Sequence, residues 1–372
     1  MMHLSKPRRL RRQRRCRSQP QLMDDVVDEI LLRLPTDDPA CLFRASAVCR
    51  TWQRIVTDPG FSGRYRAFHR TPPLLGVLRN PYVSQSARFV PTTSFCPTLD
   101  SEGYTIVFDC RHGRVLLDLT ASDDYAVWNP ITGDQHRLPE IPGNPESPDN
   151  AAVLCAAEGC DHSGCAGAGG PFYVAVVGHG DDDGSAHACL YSSITGAWSA
   201  PTSIQTHEFV DTTLTVALVG DAAYFPFELG AGGNILQYDI VERSLSMINP
   251  TPWNGRGRAI MPTDDGGLRF ASFNSEGYRL HLGKGKIGLD GDVEWEAPHR
   301  VIELKGVLPR CVGRMGPVLM GVADGAYAVF LANKDCDVFI IDLGSLKARK
   351  VCHREQSYCV FPYMSFYMPG TG

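Results

Sequence analysis

The chain has no run of 18 apolar residues, so no segment reads as a membrane-spanning helix. It has no Asn-x-Ser/Thr acceptor. Its 13 cysteines form no short paired framework, and Cys41, Cys49, Cys189 and Cys311 lie in apolar runs as small core residues. Both features suit a reducing compartment. The common catalytic signatures are absent as well. There is no Gly-x-Ser-x-Gly elbow, no His-Glu-x-x-His, and no phosphate loop ending in Gly-Lys-Ser/Thr. Gly283, Gly285 and Gly288 do spell Gly-x-Gly-x-x-Gly. They read as a turn between two strands, where no helix N-terminus is available to hold a pyrophosphate. The expectation is therefore a non-enzyme without a cofactor.

Acidic residues are missing from residues 1–17, which hold Lys6 and seven arginines. That stretch carries +8, leaving −13 for the rest against a net charge of −5. Residues 1–20 cannot bury a core and read as a disordered basic tail, with nuclear import, an inert solvated arm and an organelle transit peptide as the readings. No hydrophobic core of a secretory signal follows the arginines. The acidic body argues against nucleic acid as a partner.

One metal-like cluster stands out: Cys155, Cys160, His162 and Cys165 lie within eleven residues. The ligand types suit zinc, but the spacing is not that of a familiar knuckle. Neighbouring Ala and Gly favour a flexible inserted loop, roughly Asn144 to Gly170. Asp181–Asp183 lacks the alternate spacing of a calcium loop and reads as a solvated turn.

Residues 22–61 carry the strongest helical signal. Val26, Val27, Ile30, Leu31 and Leu34 form one apolar stripe at helical spacing. Asp24 and Asp25 suit its start, as caps and as dipole partners. Pro35 stops it. Asp37-Asp38-Pro39 starts a second helix carrying Leu42, Phe43 and Ala45. Val48, Cys49, Trp52, Ile55 and Val56 share one side of a third, which Asp58-Pro59-Gly60 ends. Three helices in roughly 40 residues are at the limit of a self-sufficient core, so a partner is expected. Leu22, Leu31, Leu34 and Trp52 are more apolar surface than three such helices can hide.

These residues resemble an F-box. The resemblance rests on Leu22, then Ile30-Leu31-x-Arg33-Leu34-Pro35, Arg44, and Val48-Cys49-Arg50-x-Trp52, with Asp58-Pro59-x-Phe61 behind. Arg64 to Leu78 continues it in the manner of the grass-type family. Met23 departs from the pattern, since proline is usual there. The resemblance implies docking on a Skp-type adaptor of a cullin–RING ubiquitin ligase, in the cytoplasm, the nucleus or both. The residues implied are Leu22, Ile30, Leu31, Leu34, Pro35, Val48, Cys49 and Trp52, each with packing of the helices on one another as its alternative. A decoy or non-ubiquitin role is the second reading, and Met23 is its support.

From Pro72 the helical period gives way to short β-rich segments broken by Gly, Asp, Asn and Pro. Five copies of a two-hairpin unit run between Tyr104 and His353. Leu74–Phe95 and Tyr358–Tyr367 are left at the two ends, and joining them gives a sixth, closing unit. This resembles the F-box-associated and kelch-like propellers. The expected fold is α+β as separate domains. Residues 1–20 are a tail, 21–71 a three-helix F-box, and 72–372 a β-propeller-like domain of about six blades. Five or seven blades, or a split sandwich, are the alternatives. An unknown substrate protein is expected at loops of one propeller face. Turn residues Trp253, Arg256, Arg258, Arg310 and Arg314 are candidates, with an inert or structural role as the equal alternative.

Overall fold

The computed structural model describes residues 23–369 except 82–85, 100–104, 121, 123, 143–147, 161–168, 181–183, 229–233, 249–257, 264, 274–277, 289–290, 298–299, 310–316, 324–326, 334, 336 and 354–356. Four helices come first: α1 (Asp24–Leu32), α2 (Ala40–Ser46), α3 (Arg50–Val56) and α4 (Pro59–His69). The fourth was not expected from the sequence. Asp58-Pro59 does not merely end α3. The Asp58 carboxylate accepts from the Phe61 N–H at 3.0 Å, with Pro59 at the first helical position. It therefore starts a new helix. α1 differs in detail too: Met23 is its N-cap and no side chain caps it, so Asp24 and Asp25 act on the dipole and not as caps.

Six antiparallel sheets follow, one after another along the chain. Strands β1 (Leu74–Pro81) and β2 (Arg88–Pro91) open the series. The first complete blade holds β3 (Ile106–Arg111), β4 (Arg114–Leu119), β5 (Asp124–Trp128) and β6 (Gln135–Arg137). The second holds β7 (Asn150–Cys155), β8 (Phe172–His179), β9 (Ser185–Ser192), β10 (Ala197–Trp198) and β11 (Thr202–Gln205). The third holds β12 (Ala217–Val219), β13 (Ala222–Pro226), β14 (Ile235–Asp239) and β15 (Ser244–Ile248). The fourth holds β16 (Arg258–Pro262), β17 (Leu268–Phe273), β18 (Arg279–Ile287), β19 (Val293–Trp295) and β20 (Arg300–Glu303). The fifth holds β21 (Val318–Ala323), β22 (Ala328–Ala332), β23 (Asp337–Asp342) and β24 (Ala348–His353). The last strand, β25 (Ser357–Met364), pairs antiparallel with β1, so the two ends of the β region share the sixth blade. The fold is a six-blade propeller arrangement behind four helices.

The blades form where the local chemistry demands a hairpin. The turn between the third and fourth strands repeats one device. Asn129 Oδ1 accepts from the Ile131 N–H at 3.0 Å, Asp239 Oδ1 from Val241 at 2.9 Å, and Asp342 Oδ1 from Ser345 at 2.5 Å. A left-handed residue closes each turn: Gly133 (φ 80°), Arg243 (φ 53°) and Leu346 (φ 58°). The apolar faces pack into a continuous series of inter-blade cores. Leu117, Trp128 and Phe361 join the closing blade to the first, for example, and Phe225, Leu190 and Tyr238 join the second to the third.

Polar side chains near the inner strands tie neighbouring blades to each other's backbone. Asn80 closes two bonds with Val107, its Nδ2 donating to the carbonyl at 2.7 Å and its Oδ1 accepting from the N–H at 2.9 Å. Asn150 Nδ2 donates to the carbonyls of Asp211 and Leu214 at 2.9 and 3.0 Å. Buried Asp109 accepts from Arg111 Nε at 2.8 Å and from the Val153 N–H at 2.9 Å, while Arg111 also donates to the Val216 carbonyl. These bonds satisfy backbone groups that a sheet edge at the ring centre would otherwise strand.

Several expectations are corrected here. Gly283 and Gly285 lie inside β18, not in a turn. A Cβ at Gly283 would stand 2.1 Å from the Phe270 ring, and one at Gly285 would meet Val293 and Trp295 at 2.5 and 2.7 Å. The glycines admit aromatic rings onto the sheet and have no phosphate role. β7 falls within the stretch read as an inserted loop, because Ala151 to Leu154 are buried on both faces and show no alternation. His162, Cys165 and Asp181–Asp183 lie outside the described residues. Arg258 belongs to β16 and is buried, so it is not an exposed turn residue. Its guanidinium donates to the Phe227 carbonyl at 2.6 Å. Trp253, Arg256, Arg310 and Arg314 lie outside the described residues.

Candidate docking surface on the N-terminal helices

The apolar stripe of α1 splits in two. Val27 and Leu31 face inward and are buried with Leu42, Ala45, Val56, Phe61 and Tyr65. Val26 and Ile30, one turn apart, face outward and are 39% and 45% exposed. A single turn of helix thus serves a core and a surface together. Val48, between α2 and α3, is 62% exposed, and Cys49 beside it is exposed as well, contrary to its reading as a core cysteine. Pro35 is exposed, and Leu34 and Trp52 are half-buried against the helical core. Leu31 is fully buried, so it belongs to the packing of the helices on one another. Leu22 lies outside the described residues. Three exposed apolar residues of the helical unit were not among the expected contacts: Met23, Val26 and, on α4, Phe68 at 51%. Val26 was legible as part of the stripe. Phe68 belongs to the helix the sequence reading missed.

The helices are braced by ion pairs at their edges. Arg54 reaches Asp24 at 2.9 Å, Arg64 reaches Asp28 at 2.6 Å, and Arg44 reaches Asp38 at 2.6 Å. The Cys41 thiol, and with it the Arg44 guanidinium, holds the Asp38 carboxyl below its ordinary value. Tyr65 donates to the Leu34 carbonyl at 2.9 Å, and burial pushes its phenol far up. His69 Nε2 meets the Leu32 carbonyl at 3.0 Å. Two polar rings thus close the C-terminal end of α1 where Pro35 breaks it. Such exposed pairs contribute little individually; they fix orientation.

Among the described residues no group of three or more His, Cys, Asp or Glu is placed to hold a metal. A cavity of about 210 Å³ opens beside the second blade, lined by Ile141, Val176, His179, His187 and Cys189. Burial pushes the Cys189 thiol up to about 12, far from a thiolate at neutral pH. Both ring nitrogens of His179 are engaged, one by Asp149 and one by the Glu208 carbonyl. The helical surface instead has the form of a contact face: apolar side chains standing out from short, braced helices.

The family comparison bears on this face directly. Residues 20–62 match the F-box domain family. The chain carries an F-box. The match ends within α4, which runs on to His69. Three curated relatives align with the chain, all from Arabidopsis thaliana. F-box only protein 13 is 26% identical over 140 residues, covering 36% of this chain and 30% of that protein. Putative F-box protein At3g17490 is 25% identical over 130 residues, covering 31% and 32%. F-box protein At3g22700 is 29% identical over 120 residues, covering 30% and 34%. The chain therefore spans about a third of the length of the curated relatives it matches.

Proposed function

We propose that this chain is the substrate-recognition subunit of a Skp–cullin–F-box ubiquitin ligase. In this reading the F-box docks a Skp-type adaptor and, through it, a cullin–RING ligase. The propeller holds a substrate protein, and the chain performs no chemistry itself. The observation that carries the reading is the F-box at residues 20–62 with Val26, Ile30 and Val48 standing out from a packed helical core. Outward apolar anchors on helices suit a partner's groove, where one well-buried anchor contributes about 2 kcal/mol or more. Pro35, Leu34, Cys49 and Trp52 border them as further contacts. The domain division proposed is a helical unit to residue 71 and a ring from residue 72. Cytoplasm and nucleus are the proposed compartments; among the described residues no helix is long and apolar enough to cross a membrane.

The decoy reading rests on Met23. Its carbonyl accepts the first helical bonds, from Val26 and Val27 at 3.0 and 3.1 Å, so α1 starts normally with methionine there. That supports ordinary docking. The test is co-expression with a Skp-type adaptor and a cullin, followed by gel filtration. Co-elution of all three is expected. Elution of the chain apart from a folded adaptor would remove the ligase reading and leave the decoy one.

A further inference from the structure

The helical unit is not complete in itself. β25 ends at Met364, and the chain continues straight from the closing blade into the F-box. Phe366 and Met368 are 5% and 1% exposed and belong to the same core as Val27, Leu31, Leu42, Val56, Phe61 and Tyr65. The Phe366 ring stands edge-on to Tyr65 at 6.1 Å. Tyr367, between them, turns the other way. Its ring lies 4.7 Å from Phe43 of α2 and 4.8 Å from Phe95, which is buried in the core of the closing blade. The Ser365 N–H donates to the Pro73 carbonyl at 3.3 Å, clipping the C-terminal segment to the linker between α4 and β1. Phe366 and Met368 thus belong to the helical core, and Tyr367 between them bridges α2 and the closing blade.

From this geometry we infer that the F-box is completed by the chain's own C-terminus, so that docking competence depends on closure of the propeller. The helices are too few to bury their apolar surface alone, and residues more than 300 positions later in sequence supply what is missing. β25 delivers that segment only when it pairs with β1, the step that seals the ring. During synthesis the helices emerge long before their last core residues exist. An unfinished or open chain therefore presents a loosened F-box, and only the closed form presents a firm one. The same wedge fixes the helices against the closing blade, holding docking face and ring at one geometry. The docking half of this inference rests on the function proposed above; the structural half does not.

The test is the full chain with Phe366→Ser and Met368→Ser, both beyond β25 and outside the docking face. Hydrogen exchange is followed by peptide, and binding of a purified Skp-type adaptor is titrated alongside. The expected result is at least tenfold faster exchange in residues 24–69, unchanged exchange in β3 to β24, and adaptor binding weakened at least tenfold. A Phe366→Leu control should keep both near the parent values. Unchanged exchange in the helices would overturn the inference. So would an equal loss of protection in helices and all blades, since the tail would then serve the whole ring. Faster helix exchange with full adaptor affinity would refute the coupling to docking. If the parent chain does not bind the adaptor, the proposed function fails, while the exchange data still decide whether the C-terminus completes the helices.

Discussion

The buried pair at the ring centre gives the sharpest stability prediction. Asp109 and Arg111 are each nearly fully buried, two residues apart on β3. The Asp109 carboxylate accepts from Arg111 Nε at 2.8 Å, from the Val153 N–H of the second blade at 2.9 Å and from the Cys110 N–H at 2.9 Å. Arg111 in turn donates to the Val216 carbonyl of the third blade. Burial pushes the Asp109 carboxyl above its ordinary value even with the guanidinium beside it, which draws it the other way. The pair therefore adds little net stability, yet breaking it is costly. Asp109→Ala removes the carboxylate that the buried Arg111 guanidinium is paired with, at about 3–5 kcal/mol. At about 2–4 °C per kcal/mol for domains of 150–250 residues, the melting temperature should fall by on the order of 10 °C. The double variant Asp109→Ala/Arg111→Met removes the buried guanidinium as well and should regain part of that loss. Differential scanning fluorimetry and urea titration of the two single variants and the double complete the cycle. A single variant that melts within a degree or two of the parent would refute the reasoning. So would a double variant whose cost is the sum of the singles.

Other perturbations follow from the same geometry. His179 faces two acceptors, Asp149 and the Glu208 carbonyl, so its ring needs both N–H groups. Burial alone would lower its pKa, but the Asp149 carboxylate outweighs this and the value is raised. Its contribution is fully present below the ordinary histidine pKa and is lost as pH rises through the raised one. The urea midpoint should decline across that window in the parent and much less in His179→Gln. Gly283→Ala places a Cβ against the Phe270 ring and should cost about 1–3 kcal/mol by thermal melting, partly recovered by Phe270→Leu. Asp58→Ala removes the α4 cap and should cost about 0.5–2 kcal/mol, read as faster hydrogen exchange in α4 with the blades unaffected.

The F-box was legible because helix stops, aromatic spacing and apolar period agree within 40-odd residues, and residues 20–62 match the family. The six blades were legible through their turns: Asn129, Asp239 and Asp342 mark the same corner in three of them. What escaped was of two kinds. α4 and β7 were hidden by local ambiguity. Asp58-Pro59 is a stop and a start in one, and a doubly buried strand such as Ala151–Leu154 has no alternation to read. The second kind is long-range. The sequence shows more apolar surface on the helices than they can hide, but not which segment hides it. Phe366 and Met368 are separated from Leu31 by more than 330 residues, and only ring closure brings them together. For the same reason the inward Leu31 and the outward Ile30, adjacent in an apolar motif, could not be told apart from the motif alone.

The central claim is that the F-box docks an adaptor through its outward apolar face. Isothermal titration of a purified Skp-type adaptor into the parent chain and into Ile30→Asp/Val48→Asp tests it most directly. Both residues are exposed, so the melting temperature should stay within about 1 °C of the parent, as surface substitutions generally do. Binding by the parent and a loss of at least tenfold in the variant is the predicted result. Equal affinity for the two chains, or no heat with either, would contradict the account.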